Sequence, residues 1–246
     1  MLSRNFRLQS VGDLKWLKDH YDFNAIAFSI DEMIVLNVER GEKDIASFSR
    51  NLLELTRNCF IPIAAGGGID SLNVAYELFK SGADKLVVNS ILFKKPELVE
   101  ELVKTFGGQS IVASLDYKAV GNGNQVYIEN GQVNTGVGLD EAVKRVIDFG
   151  VGEIYVTSME RDGTGQGYDL KTLKKISEQS PISIIASGGV GRFDQLVAGI
   201  EEAQVQAVST ANLFNFMADG LAEARLFMKE KGVVLAEWDA SCMLKK

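Results

Sequence analysis

Histidine is almost absent from this chain: among 246 residues there is one, His20, beside two cysteines, two tryptophans and three prolines. A single histidine with two cysteines argues against both a Cys/His zinc site and a Cys–His nucleophile pair. His20 lies in a charged early segment and reads as a solvated surface residue. Cys59 and Cys242 fit a reducing compartment. No apolar run exceeds strand length, so no membrane-spanning segment is expected. The opening residues, Met1–Arg7, lack the apolar core of a signal peptide. Positive charge is short as well: 26 Lys and Arg against 33 Asp and Glu leave a net −7, which argues against a nucleic-acid partner.

What remains is an ordinary globular composition, 46% hydrophobic and 24% charged, at a length that suits one α/β barrel over residues 1–246. Apolar runs read as strands at Asp31–Val38, Ile61–Ala65, Lys85–Asn89, Ser110–Leu115, Glu153–Thr157, Ile182–Ala186 and Val205–Thr210. Helical spacing falls between them, at Asp44–Asn58, Ser71–Ser81, Pro96–Phe106, Leu139–Phe149, Leu170–Gln179, Arg192–Ile200 and Gly220–Lys231. Asp13 caps a short helix through Tyr21, whereas Met1–Val11 has no clear element. Val126–Ile128 and Gln132–Asn134 flank Glu129-Asn130-Gly131, a hairpin signal. Strict alternation of strand and helix means a parallel sheet.

The chain also repeats itself. Ile61–Ile69, I-P-I-A-A-G-G-G-I, has the form of Ser183–Gly191, S-I-I-A-S-G-G-V-G, and Gly67 and Gly68 fall on Gly188 and Gly189 at an offset of 121 (188 − 67 = 121). Glu32, Val35, Glu39 and Arg40 recur at the same offset as Glu153, Val156, Glu160 and Arg161. Two copies of one half-fold require an even number of strands, and seven are counted. A (βα)8 barrel of two half-barrels fits, its first strand missing or replaced. Either the chain starts late, or Phe23–Ile30 or another segment fills the gap.

In such barrels the strand ends carry the chemistry. Asp116, at the end of I-V-A-S-L, is the best general acid/base, because burial at a strand lip moves a carboxyl toward neutral pH. The alternative is a loop cap. The diglycines at 67–68 and 188–189 let backbone approach an anion, so two of them suggest a ligand with two phosphates; plain tight turns are the alternative. Asn89 and Thr210 close equivalent strands and can donate hydrogen bonds to phosphate or hydroxyl. Asp162-Gly163-Thr164-Gly165 is a loop placed to fold over a ligand, although Asp-Gly is also a common turn.

Together, I-P-I-A-A-G-G-G-I, S-G-A-D-K-L-V-V-N-S, V-A-S-L-D-Y-K, G-E-I-Y-V-T-S-M-E-R-D-G-T-G-Q-G-Y-D-L and I-I-A-S-G-G-V-G resemble the cyclase subunit of imidazole glycerol phosphate synthase (HisF), of histidine biosynthesis, from about Asp31 to Phe216. The resemblance implies a (βα)8 barrel of the cytoplasm, with neither cofactor nor metal. It implies a heterodimer with a glutaminase subunit of the HisH type, whose ammonia crosses the barrel to a substrate with two phosphates. The products would be imidazole glycerol phosphate and an aminoimidazole carboxamide ribotide. It assigns Asp116 as a catalytic aspartate. It puts Gly67, Gly68 and Asn89 at one phosphate, and Asp162, Gly163, Gly188 and Gly189 at the other. It puts Glu32, Lys85 and Glu153 at the ammonia entrance and Asp84 toward the glutaminase, though an ordinary solvated rim would look the same.

The chain also departs from that pattern. A second family aspartate, at the end of the first strand, has no counterpart after Met1; the loop behind it is represented by Leu2–Gly12. Asn37 stands where Asp is usual, and Asn212 where a serine binds phosphate. Divergent second copies of the cyclase show such changes. Two rival readings stay open here: an ammonia-transfer subunit of a surface-sugar pathway, and a non-catalytic barrel that only docks and activates a glutaminase.

Overall fold

The computed structural model describes residues 2–10, 13–20, 26, 28–57, 60–211 and 220–237. A small antiparallel hairpin, β1 (Leu2–Arg4) and β2 (Arg7–Gln9), opens the chain. It was not readable in the sequence, because its turn uses Asn5 and Phe6, both at positive φ (51° and 61°), with no glycine to announce it. Helix α1 (Leu14–His20) follows, capped as expected by the Asp13 carboxylate, which accepts from Trp16 N at 2.8 Å.

Strands and helices then alternate: β3 (Met33–Leu36), α2 (Ile45–Thr56), β4 (Ile63–Gly66), α3 (Leu72–Lys80), β5 (Lys85–Val88), α4 (Ile91–Lys94), α5 (Pro96–Phe106) and β6 (Ile111–Val120). After β6 come β7 (Gly123–Ile128), β8 (Val133–Gly138), α6 (Leu139–Asp148), β9 (Glu153–Ser158), α7 (Leu170–Gln179), β10 (Ser183–Ser187), α8 (Phe193–Glu201), β11 (Ala207–Val208) and α9 (Gly220–Glu230). Local chemistry sets the boundaries. Asp44 accepts from Ser47 N at 2.8 Å to start α2, Pro96 occupies the first turn of α5, and Gly107, at φ 83°, ends it.

Seven strands pair in parallel in the order β11-β10-β9-β6-β5-β4-β3. The order curls on itself. Inward residues from six strands meet in one cluster: Ala64, Val87 and Val112, with Ile34, Tyr155 and Ile185 packed on them. Ile34 and Ile185 sit near opposite ends of the strand order, yet both join this one cluster, as they do in a strongly bent sheet. An ion pair from Arg225 of α9 to Asp31, ahead of β3, draws the two ends together at 3.0 Å. Among the described residues no strand lies between β11 and β3. Of Phe23–Ile30, read as one filler of that place, half lies outside the described residues; the described half is helical at Ile26 and a turn at 28–29, not a strand.

The opposite face of each strand packs under the helices, where Leu86, Leu102, Ile111, Ile154 and Ile184 are fully buried. Each such side chain stabilises the fold by roughly 1.5–3 kcal/mol. The half-fold repeat is present in the pairing itself. Val35 faces Ala65 across β3–β4, and Val156 faces Ala186 across β9–β10, both shifted by 121 (156 − 35 = 121; 186 − 65 = 121). Helices α3 and α8 start at the same offset (193 − 72 = 121).

Candidate active site

Asp116 occupies a branch point. Up to Ala113, β6 lies between β5 and β9; at Asp116 the β5 side is taken over by β7, so Asp116 faces Thr157 on one flank and Tyr127 on the other. The sequence reading ended this strand at Asp116, whereas the hydrogen-bonded strand continues to Val120. Only 9% of the residue is exposed. The Asn89 amide donates to Asp116 Oδ2 at 3.2 Å and to Ser114 O at 3.0 Å. Burial pushes the carboxyl up to about 7; Asp162's charge adds to the rise, and hydrogen bonds from Thr157 and Asn89 oppose it. A carboxyl raised by burial to about 7 has both protonation states within reach near neutral pH and can give or take a proton.

The two diglycine turns end β4 and β10, and β6 is the middle strand between them in the sheet order. Their glycines have a reason within the fold. At Gly67, φ 92°, a Cβ would stand 2.1 Å from Asn37 O; at Gly189, φ 108°, it would stand 2.3 Å from Gly167 O. The chain's own backbone therefore requires glycine at both turns, with or without an anion. Two cations that the sequence reading did not place at a phosphate turn lie against them. Lys43 donates to Asn37 O, and a Cβ on Gly68 would touch its side chain at 2.9 Å. Burial holds the Lys43 ammonium below its ordinary pKa, with Glu39 opposing. Arg161 donates to Gly167 O at 3.2 Å beside Gly189. Neither was legible, because loops remote from the glycines in sequence deliver them.

The β1–β2 hairpin closes over the loop after β9. Asn5 N donates to Asp162 O at 2.8 Å, the Ser3 hydroxyl donates to the Asp162 carboxylate, and Phe6 packs near Gly131 of the β7–β8 turn. Gly163 fits only because it lacks a Cβ, which would lie 2.0 Å from Ser3 O. Asp162 and Gly163 thus hold the hairpin onto the rim of the mouth. Asn37 is 6% exposed and accepts from Glu39 N at 3.0 Å. Asn212 lies outside the described residues.

At the other end of the strands, Lys85 donates to Glu32 at 2.9 Å and to Glu153 at 2.8 Å. Desolvation lowers the Lys85 ammonium, but the two carboxylates outweigh it and its pKa ends up raised. Glu153 Oε2 is buried without a hydrogen-bond partner among the described residues. Asp84 stands apart from this trio. It caps β4, accepting from Ile63 N at 2.8 Å and donating its own N–H to Ile63 O at 2.7 Å. Its side chain has a structural task there. Among the described residues no helix is long and apolar enough to cross a membrane.

The histidine biosynthesis protein family matches residues 25–218. A protein of Parasynechococcus marenigrum provisionally named imidazole glycerol phosphate synthase subunit hisF2 is 40% identical over 238 residues, 96% of this chain and 88% of its own length. The imidazole glycerol phosphate synthase subunit HisF of Chloroherpeton thalassium is 37% identical over 205 residues, 83% of this chain and 82% of its own. The protein of the same name from Pyrobaculum aerophilum is 36% identical over 230 residues, 93% and 89% of the two chains. A curled parallel sheet with a two-fold internal offset, a match over most of its length and relatives of this kind make the chain a member of the histidine biosynthesis protein family.

Proposed function

We propose that this chain is the cyclase subunit of an imidazole glycerol phosphate synthase, a lyase that receives ammonia from a HisH-type glutaminase. It would join that ammonia to a bis-phosphorylated ribulosyl aminoimidazole substrate, giving imidazole glycerol phosphate and aminoimidazole carboxamide ribotide. The observation that carries the reading is a carboxyl tuned to about 7, on the middle strand between two glycine turns, each with a cation against it. A substrate with a phosphate at each end spans such a mouth, and its reacting centre then falls over Asp116. Asp116 moves protons during ring closure; Asn89, donating to the carboxylate, holds it in place. Gly67, Gly68 and Asn89 serve one phosphate, and Gly188 and Gly189 the other. The ion-paired floor of Glu32, Lys85 and Glu153 lies at the opposite end, where a glutaminase would dock and deliver ammonia.

The test is reconstitution. The purified chain, mixed with the glutaminase that co-purifies with it, glutamine and the bis-phosphorylated substrate, should yield both products. The chain alone should release no ammonia from glutamine. Product from neither glutamine nor ammonium salt overturns the reading.

A further inference from the structure

The inward residues of β9 mark the height of the barrel. Glu153 belongs to the charged floor, Tyr155 to the waist, and Thr157 lies level with Asp116 at the mouth. Successive inward positions are about 6–7 Å apart along a strand. Around Tyr155 the waist is mostly apolar, with Ile34, Ala64, Val87, Val112 and Ile185, and Ser114 stands in register with the tyrosine on β6. A small polar molecule crossing it loses its hydrogen bonds to water, at a cost of several kcal/mol if nothing replaces them. Tyr155 supplies the replacement. Its ring packs in the waist cluster, and its hydroxyl reaches the last residue of β10, 2.7 Å from Ser187 Oγ. Ser187 is level with Thr157, so the Tyr155 side chain bridges waist and mouth. Ser114, its neighbour in register on β6, puts a further hydroxyl on the other flank of β9.

Tyr155 as a residue is half-buried, as are Ile34 and Ile185, whereas Ala64, Val87 and Val112 are 1–3% exposed, and its phenol end is enclosed beside Ser187. Its hydroxyl stays protonated across the working pH range, because burial raises its pKa while Ser187 and Ser209 only partly offset that. A neutral hydroxyl both donates and accepts, the pattern that suits neutral ammonia.

Resting on the ammonia-fed reading above, we propose that Tyr155 is the hydrogen-bonding waypoint by which ammonia crosses the apolar waist from the Lys85–Glu153 floor to Asp116. The hydroxyl is the working part, and the ring positions it. Ammonium would gain little, since a charge at an apolar waist is far costlier than a neutral molecule.

The experiment uses the complex with the glutaminase and the Tyr155→Phe variant, which keeps the ring. Product formed per glutamine hydrolysed should fall, on the order of 3–10-fold, while glutamine hydrolysis continues. Turnover with ammonium salt, whose ammonia reaches the mouth from solvent, should fall far less. Ser187→Ala, which removes the hydroxyl's partner without touching the ring, should reproduce the direction with smaller effect. Wild-type coupling in Tyr155→Phe overturns the proposal. So does an equal loss with both nitrogen sources, which would make Tyr155 a participant in the chemistry at the mouth. If the wild-type complex makes product from neither source, the parent reading fails instead, and that outcome is visible before any variant is made.

Discussion

Asp116→Asn replaces a titrating carboxyl with an amide of the same shape. Turnover should drop by about 10²–10⁴, the range that proton transfer by a placed side chain contributes. When the carboxylate accepts the proton, the ionised form is competent, so the wild-type rate should decline as pH falls through about 7. A pH–rate profile checks this, and that limb should vanish in the variant. Stability moves the other way. The folded carboxyl titrates near 7 and the free one at 3.8, so the folded state binds the extra proton between those values. The stabilisation is complete below about pH 3.8 and is lost as pH rises through 7. At pH 8 the variant should therefore be the more stable protein, on the order of 1–4 kcal/mol by urea melts. Asp116 was legible in the sequence because an apolar run ending in a carboxylate is a purely local signal. Thr157, Lys43, Arg161 and Tyr155 were not. Each matters through a neighbour 30 or more positions away or through a loop carbonyl, and a linear pattern does not encode those meetings.

The hairpin β1–β2 depends on a contact that one methyl group would close. Gly163→Ala puts a Cβ against the Ser3 carbonyl, at a φ of 69° that already disfavours side chains. The variant should lose about 1–3 kcal/mol of local stability, and the hairpin amides Ser3–Leu8 should lose hydrogen-exchange protection while those of β5 and β6 keep theirs. Helices were read well at this scale, since Asp44, Ser71, Asp169 and Pro96 announce their starts by side-chain chemistry that acts within four residues. The β7–β8 hairpin was equally plain from Glu129-Asn130-Gly131, all three at positive φ. The first hairpin was not, because an Asn-Phe turn looks like ordinary coil.

At the scale of the whole molecule the floor trio ties three strands together by charge. Lys85→Met leaves Glu32 and Glu153 facing each other without the ammonium that neutralises them. Stability should fall by about 1–3 kcal/mol, less than for a fully buried pair because Glu32 is partly in water. A lowered urea midpoint with an unchanged slope would show it, and Glu153→Gln in the same chain should recover part of the loss. The barrel class and its two halves were legible because the offset of 121 is written in the residues themselves. How the sheet bends round was not: it rests on Ile34 meeting Ile185's cluster and on Arg225 reaching Asp31.

The branch in β6 bears on how still the reacting group can be. Its main chain is fastened on one flank to β9 and on the other to β7, and its side chain is tethered to Asn89. The hairpin β7–β8 is thereby a splint. Its far tip is moored to the rim through the Asn130 amide, which donates to Val38 O at 3.2 Å. A carboxyl so braced has little wandering left to surrender when a substrate arrives, and the entropy of alignment is settled at folding rather than at each turnover. Slackening the mooring, as Asn130→Ala would, should loosen the Asp116 amide on the nanosecond scale and slow catalysis from a residue that touches no reactant.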